Sequence, residues 1–259
     1  MKFFETHAHY DDEKFEDEED EVLNKVYREG VDKIVNVACD YSSCITSFKL
    51  SEKYDFVYYT IGVHPFEAET FDIEKIEEIY SQVDKKKLVA IGEIGLDYSY
   101  DYVDEENKKI QKEVFIKQIE FAHKYSLPII IHTRDASHDT YEILKEYTSD
   151  EDKVLLHCFS PTDELVEILL ERKNYICAFG GNITYKRKDS FEKYLEKIPM
   201  EKIVLETDSP YLPPQEKRGT RNDSSNLPII AKKLAEFKKI TIDEVAIVTY
   251  NNAKLFYNV

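Results

Sequence analysis

Short apolar runs alternate with longer amphipathic segments along the chain. The apolar runs are rich in β-branched and aromatic residues and have the length of strands. Most of them lack polar alternation, as parallel strands buried on both faces do. Eight runs are predicted to be strands: KFFE near the start, and residues 32–38, 56–63, 87–95, 127–132, 153–159, 174–181 and 202–208.

The segments between these runs have the pattern of amphipathic helices. In residues 106–126, for example, Ile110 and Val114 lie among charged residues at roughly helical spacing. After the eighth strand, a last pair of helices is predicted over residues 226–238 and 242–256. The pattern therefore predicts eight strands that each precede a helix, with one helix left over at the end.

This alternation indicates an α/β fold. An eight-stranded α/β barrel typically has about 250 residues, and the chain has 259. No Gly/Ser/Pro-rich linker divides residues 1–259, so we expect one domain. We predict a single (β/α)8 TIM-type barrel with an additional C-terminal helix. A doubly wound open sheet is the structural alternative, because eight strands can also lie flat.

Composition and charge narrow the class of protein. No stretch approaches the about 18 apolar residues of a membrane span, and the N-terminus lacks the pattern of a signal peptide, so a cytoplasmic protein without membrane contact is expected. The four cysteines fit neither a disulfide framework nor a C-x-x-C pair. The net charge of −17 argues against a protein that holds nucleic acid by bulk electrostatics. It leaves open an enzyme that meets phosphate through metal ions.

Residues of metal-ligand type stand at the ends of the predicted strands. His7 and His9 end the first strand, and residues two apart in a strand point to the same side. His64 ends the third strand. The ends of strands four, five, six and eight carry, in this order, Glu93, His132, His157 and Asp208. In a barrel these ends share one face, which is where active sites lie.

Four histidines and two carboxylates at five strand ends predict a metal centre. A single histidine at a strand end is usually a structural residue, but six ligand-type residues in one pattern make that explanation improbable. This set suits two divalent ions with a bridging carboxylate and open positions for water. Imidazole ligands favour Zn²⁺ and oxygen ligands admit Mg²⁺ or Mn²⁺, so the sequence leaves the identity of the metal open.

Seven short motifs follow one another along nearly the whole chain. They are THAHYD (6–11), GVHP (62–65), AIGEIGLDY (90–98), PIIIHTRDA (128–136), HCFS (157–160), LETDSPYL (205–212) and RGTRN (218–222). Each motif is short, but all seven in this order and spacing are highly specific. Together they resemble the TatD family of metal-dependent deoxyribonucleases, which are TIM barrels of the amidohydrolase superfamily.

The resemblance implies a role for each candidate ligand. By this resemblance, His7, His9 and Asp208 bind the first metal ion. His132 and His157 bind the second ion, and a bridging residue binds both. The resemblance assigns that bridge to Glu93, which makes it a catalytic residue as well as a ligand.

The resemblance also implies roles beyond metal binding. Asp208 would orient and deprotonate the attacking water. His64 would face the phosphate or the scissile oxygen, as both a catalytic and a substrate-binding residue. Arg218 and Arg221 match loop positions of the family and would contact phosphate.

The implied activity is hydrolysis of DNA phosphodiester bonds by a water activated between two metal ions. A negatively charged chain suits an exonuclease that grips a strand end better than a processive clamp, and we expect single-stranded ends as the substrate. Several loop tyrosines could stack bases, although packing is the commoner role of such residues. They are Tyr98, Tyr100, Tyr102, Tyr185 and Tyr211.

Two other functions stay open at the level of sequence. One is hydrolysis of another ester or an amide bond on the same barrel, since one fold hosts many chemistries. Amidohydrolases of that kind often carry a carboxylated lysine on strand four, where this chain has Glu93, so the nuclease is favoured. The other is a non-catalytic binding protein, which a complete ligand set argues against. The sequence leaves the polarity of digestion, DNA against RNA, and the oligomeric state open.

Overall fold

A computed structural model describes residues 1–186 and 191–259. The strands are β1 (Phe3–Ala8), β2 (Val31–Asn36), β3 (Val57–Ile61), β4 (Leu88–Asp97), β5 (Ile129–Arg134), β6 (Val154–Leu156), β7 (Tyr175–Phe179) and β8 (Ile203–Leu205). The helices are α1 (Glu19–Arg28), α2 (Tyr41–Lys53), α3 (Ile73–Gln82), α4 (Glu105–Tyr125), α5 (Ser137–Tyr147), α6 (Asp163–Glu171), α7 (Phe191–Lys197), α8 (Leu227–Lys238) and α9 (Ile242–Tyr257).

The strands form one parallel sheet in the order of the sequence. A parallel bridge between Ala8 and Ser209 joins the last strand to the first, and the backbone N–H of Asp208 donates to the carbonyl of His7 over 2.9 Å. The sheet is therefore closed into a barrel with one helix after each strand, and α9 is the additional C-terminal helix. The predicted barrel is confirmed, and the open sheet is excluded.

Two apolar layers hold the barrel together. The larger one lies between the strands and the surrounding helices. The smaller one fills the barrel, with residues from the strands such as Phe4 and Ile130, and it includes Phe256 and Tyr257 of α9. Lys153, just before β6, donates to the carbonyls at the end of α9. Because of these contacts, α9 covers the end of the barrel at which the strands begin.

Strands β6 and β8 end earlier than the sequence predicts. The predictions ran to residues 159 and 208, but the strands end at Leu156 and Leu205. Cys158 and Asp208 have left-handed backbone, with φ of 43° and 59°. A left-handed residue breaks the pleat of a strand, so two of the candidate ligands, His157 and Asp208, lie just past the strands instead of within them.

The longest helix shows how local sequence sets the ends of an element. Asp104 caps the start of α4, with Asn107 in a reciprocal capping box, and Ser126 ends it in left-handed conformation. The observed helix matches the predicted 106–126 to within a residue at each end. Although α4 has 21 residues, charges run along it; among the helices of the described ranges, none is long and apolar enough to cross a membrane.

Candidate metal centre

Four of the six predicted ligands converge on a fifth, the buried carboxylate of Glu93, at the C-terminal end of the barrel. Glu93 of β4 is 3% exposed, and four imidazoles surround its two oxygens. The distances to its nearer oxygen are 3.3 Å from His7 Nε2, 3.8 Å from His9 Nε2, 2.7 Å from His132 Nδ1 and 3.0 Å from His157 Nε2. Strands far apart in sequence thus meet at a single residue.

The first group of candidate ligands lies on the Glu93 Oε2 side. His7 Nε2 and His9 Nε2 are 3.2 Å apart, and Asp208 Oδ1 is 3.8 Å and 3.4 Å from them. Atoms bound to one ion at about 2.0–2.2 Å lie about 3–4 Å from one another. The spacing of these four side chains therefore fits one divalent ion.

The second group lies on the Oε1 side of the same carboxylate. His132 Nδ1 and His157 Nε2 both point at Glu93 Oε1. Each ring places its other nitrogen against a second carboxylate, which would hold the ring when the first nitrogen binds a metal. Two imidazoles and a shared carboxylate would leave positions for water on an ion held there.

The two carboxylates behind these rings are Asp97 and Glu206. Asp97 Oδ2 is 3.0 Å from His132 Nε2, and Glu206 contacts His157 Nδ1 at 3.3 Å. Both acids are almost fully buried. The sequence analysis does not assign these two acids to the site, although a signal for them exists. Asp97 lies four residues after Glu93, and Glu206 lies two before Asp208. In a strand, an even spacing places both side chains on the same side, so each acid is expected beside a candidate ligand.

The pKa values of the two central carboxyls are low. Burial raises the pKa of Glu93, but the charges of His157 and His7 and the hydrogen bond from His132 outweigh it and hold this pKa well below its usual range. Burial also opposes ionisation of Asp208, yet a hydrogen bond from His9 and nearby imidazoles lower its pKa. Both side chains are therefore available as anionic ligands.

The pKa values of His157 and His132, in contrast, are raised. Burial lowers the pKa of His157, but the carboxylates of Glu206 and Glu93 raise it well above its usual value. Hydrogen bonds to Asp97 and Glu93 likewise raise the pKa of His132 against its burial. Anions thus draw positive charge into this centre, and a metal must displace protons from the rings to bind there.

His64, which follows β3, differs from His132 and His157. Its Nδ1 accepts the backbone N–H of Phe66 at 3.2 Å, so the neutral ring carries its proton on Nε2. Burial and the neighbouring His132 lower its pKa to about 3, which keeps the ring neutral. His64, Glu93 and His132 are close enough to share an ion, but an Nε2–H cannot ligate. His64 therefore offers a hydrogen-bond donor, 3.8 Å from Glu93 Oε1.

An acidic depression of about 290 Å³ adjoins the first group. Its walls include His9 and the thiol of Cys39, whose Sγ is 3.7 Å from His9 Nδ1. The other walls include Asp11, Asp12 and Asp40. This depression disfavours an anionic group, because three carboxylates would repel it.

The two predicted phosphate contacts lie in the loop after β8. Arg221 donates to the carbonyl of Lys14 and to Glu18, and its guanidinium lies 4.7 Å from the Phe15 ring. The guanidinium of Arg218 lies 5.2 Å from the ring of Tyr185. Both arginines are exposed, and in the described part of the chain no contact joins them to the ligand cluster. Their role at phosphate stays a prediction.

Comparison with known proteins gives the family. The family model described as TatD related DNase matches residues 4–258. The metal-dependent hydrolase YabD of Bacillus subtilis is 37% identical over 99% of both chains. Human deoxyribonuclease TATDN3 is 33% identical over 96% of this chain and 93% of its own. The chain belongs to the TatD family, as the seven motifs predict.

A solved structure of a family member has the same fold. The crystal structure of YjjV, a TatD homologue from Escherichia coli K12, superposes with a TM-score of 0.89 and 28% identity, and the match covers 99% of this chain and 98% of that one. The barrel therefore has the architecture of its family along its whole length.

Proposed function

We propose that this protein is a metal-dependent deoxyribonuclease that hydrolyses phosphodiester bonds with a water activated by two divalent ions. The observation that carries the proposal is the convergence of four imidazoles on Glu93, with Asp208 beside two of them. Membership of the TatD related DNase family and the similarity to human deoxyribonuclease TATDN3 support DNA as the substrate.

The ligand assignment follows the two groups of side chains. His7, His9 and Asp208 would hold the first ion and His132 and His157 the second, with Glu93 shared between them. Bound there, Mg²⁺, Mn²⁺ or Zn²⁺ would make a water acidic and would stabilise charge on the phosphate. The donor set of nitrogen and oxygen atoms suits all three metals.

Asp208 is the residue we assign as the base. Its lowered pKa keeps the carboxylate ionised at neutral pH. It is also 15% exposed as a side chain, against 4% for Glu93, so water reaches it more easily. A positioned general base of this kind contributes about 10²–10⁴-fold to a rate.

His64 and the arginines are assigned to the substrate. The Nε2–H of His64 would donate to a phosphate oxygen or to the scissile oxygen. Arg218 and Arg221 would contact phosphate through their guanidinium forks. Arg221 must first exchange its ion pair with Glu18, whereas Arg218 makes no ion pair with the described residues, so we expect Arg218 to be the stronger contact.

We further propose that the enzyme is an exonuclease acting on single-stranded ends. A net charge of −17 opposes tracking along a polyanion. A strand end brings one reacting phosphate to the cations of the centre and leaves the remaining phosphates in solvent. Circular single-stranded DNA, which has no end, should therefore resist the enzyme.

The test uses purified protein stripped with a chelator and reloaded with Mg²⁺, Mn²⁺ or Zn²⁺. We expect cleavage of an end-labelled single-stranded oligonucleotide only after reloading, and no cleavage by His157→Ala. His138→Ala is the matched control, because His138 is exposed and pairs with Glu164 on the surface. Full activity in the chelated protein would exclude the proposal.

The same assay separates the alternative hydrolase from the nuclease. Acyl-ester and amide substrates are run beside the oligonucleotide under each metal. Metal-dependent cleavage of these substrates alone would assign the centre to a different bond. Absence of any metal binding in a direct titration would exclude both the nuclease and the alternative hydrolase.

A further inference from the structure

A series of aromatic rings leads from the metal centre to the surface. The ring of His132 lies 4.4 Å from that of His64, and His64 lies 4.5 Å from Phe66, measured between centroids. Phe66 is then 4.4 Å from Tyr100, and Tyr100 is 5.6 Å from Tyr102. His132 belongs to β5, and the other four rings come from the loops after β3 and β4, which the barrel places side by side.

His64 is buried, whereas the three rings beyond it are exposed. His64 is 7% exposed, Phe66 41%, Tyr100 37% and Tyr102 60%. Large aromatic side chains are usually well buried, so three neighbouring exposed rings beside a centre are unusual. Nothing in the core requires their exposure, and the position of the series suits a ligand that also reaches the centre.

Other loop tyrosines are engaged with the protein itself. The hydroxyl of Tyr98 donates to Asp139, that of Tyr185 to the carbonyl of Pro213, and that of Tyr211 to Asp12. The hydroxyls of Tyr100 and Tyr102 make no hydrogen bond to the residues that the structure describes. These two tyrosines therefore contribute ring surface and little else to the folded chain.

We propose that Phe66, Tyr100 and Tyr102 form a stacking surface for the unpaired bases of the DNA strand whose phosphate lies at the metal centre. This inference rests on the proposed nuclease function and adds the path by which the strand leaves the site. Aromatic rings stack on any base, because every base presents a π-face.

The charge around these rings favours bases over phosphates as the group that is held. Burial and the neighbouring Tyr100, Asp97, Glu67 and Glu69 raise the pKa of Tyr102. Glu67 directly follows Phe66 in the chain, and carboxylates beside the rings repel a phosphate backbone, so affinity on this side must come from uncharged surface. The bases of a duplex are already stacked and paired, which makes a single strand the ligand that fits.

The experiment compares Tyr100→Ala and Tyr102→Ala with the wild-type enzyme on two substrates. One is a single-stranded oligonucleotide long enough to pass over the rings, and the other is a dinucleotide too short to reach them. We expect each alanine variant to raise KM for the oligonucleotide by about five- to hundred-fold. We expect kcat, and both constants for the dinucleotide, to stay unchanged.

Two controls separate stacking from other effects. Tyr100→Phe and Tyr102→Phe keep the ring and should retain the wild-type KM. Tyr27→Ala removes an exposed tyrosine that packs on Phe56 near the end of α1, away from the centre, and should change nothing. An unchanged KM in both alanine variants would overturn the stacking surface while leaving the nuclease intact.

A binding titration keeps the inference testable if no DNA is cleaved. The metal-loaded protein is titrated with a fluorescent single-stranded oligonucleotide, and anisotropy reports the dissociation constant. Weaker binding by the two alanine variants than by the wild type and the control variants would support the stacking surface even if the proposed hydrolysis failed. Equal binding by all variants, or no binding by the wild type, would contradict it.

Discussion

The two ends of the barrel use the same strands for opposite purposes. At the C-terminal end, β1 and β4 bury ionisable side chains such as His7 and Glu93. At the N-terminal end, Phe4 of the same β1 packs against Tyr257 of α9 at 5.8 Å between ring centroids. Burying charge costs free energy unless a partner compensates it, whereas burying aromatic rings stabilises the fold. One end therefore supports stability and the other carries the chemistry.

Polar contacts show the same division. Near the N-terminal end, Asp152 Oδ1 is 3.0 Å from His123 Nε2 on the surface. At the C-terminal end, Asp97 is 3.0 Å from His132 Nε2, but this pair is buried and the ring also faces Glu93. The same pair of residue types thus serves as a surface contact at one end and as ligand support at the other. Substitutions at the two ends should separate metal binding from stability.

The largest effect is expected from Glu93→Gln. This change removes the carboxylate that both groups of ligands share, so we expect less bound metal and a loss of activity beyond about 10³-fold. Metal content is measured by elemental analysis and activity on the labelled oligonucleotide. Glu77→Gln, on the surface beside Lys124, is the control. A Glu93→Gln enzyme that keeps its full metal content would show that the two groups do not depend on this bridge.

A substitution at the N-terminal end of the barrel should lower stability and leave metal binding unchanged. Phe4→Ala removes a ring that packs on Tyr58, Tyr250 and Tyr257. We expect the free energy of unfolding to fall by about 3–5 kcal/mol, measured by denaturant titration, with metal affinity of the folded protein unchanged. Phe4→Leu should lose much less. Loss of metal affinity in Phe4→Ala below its unfolding transition would mean that the two ends are coupled.

The buried acids behind the ligands should give an intermediate effect. Asp97→Asn and Glu206→Gln leave every proposed ligand in place but weaken the hold on His132 and His157. We expect a roughly 10–100-fold loss of metal affinity or activity. Metal titration measures the affinity of each variant. Asp152→Asn is the matched control at the other end of the barrel. Equal metal affinities in Asp97→Asn and Asp152→Asn would show that Asp97 contributes no more to metal binding than the surface residue Asp152.

The smallest effects are expected from the two loop arginines. A charge-assisted hydrogen bond contributes about 1.5–3 kcal/mol, and because Arg218 is exposed we expect the lower end of this range, a loss of about tenfold in kcat/KM for Arg218→Ala. Arg221→Ala should mainly remove the surface ion pair with Glu18, which is worth about 0–1 kcal/mol of stability. Kinetics and thermal unfolding of both variants check this order. A larger kinetic loss in Arg221→Ala would reverse the assignment of the phosphate contact.

Much of the fold and most of the candidate ligands could be predicted from the sequence. Parallel strands that alternate with helices bring their C-terminal ends to one face whatever the loops do. Side-chain parity adds the direction: Ile130 and Leu155 fill the barrel, and His132 and His157 follow them by two residues. The first strand does not keep this parity, because its register with β2 shifts between Glu5 and Ala8. The prediction of His7 and His9 rests on their position at the end of the strand and on their spacing of two residues.

Other features were decided only by the tertiary structure. The family resemblance implies a phosphate contact for Arg221, but only the fold shows that this side chain pairs with Glu18, which lies 203 positions earlier in the chain. The contact between Phe66 and Tyr100 likewise joins two loops whose backbone paths no local pattern encodes. Strand order follows from hydrophobic period and connection length, which are properties of the chain itself. Side-chain partners in loops depend on where distant segments come to rest, which only the packed molecule determines.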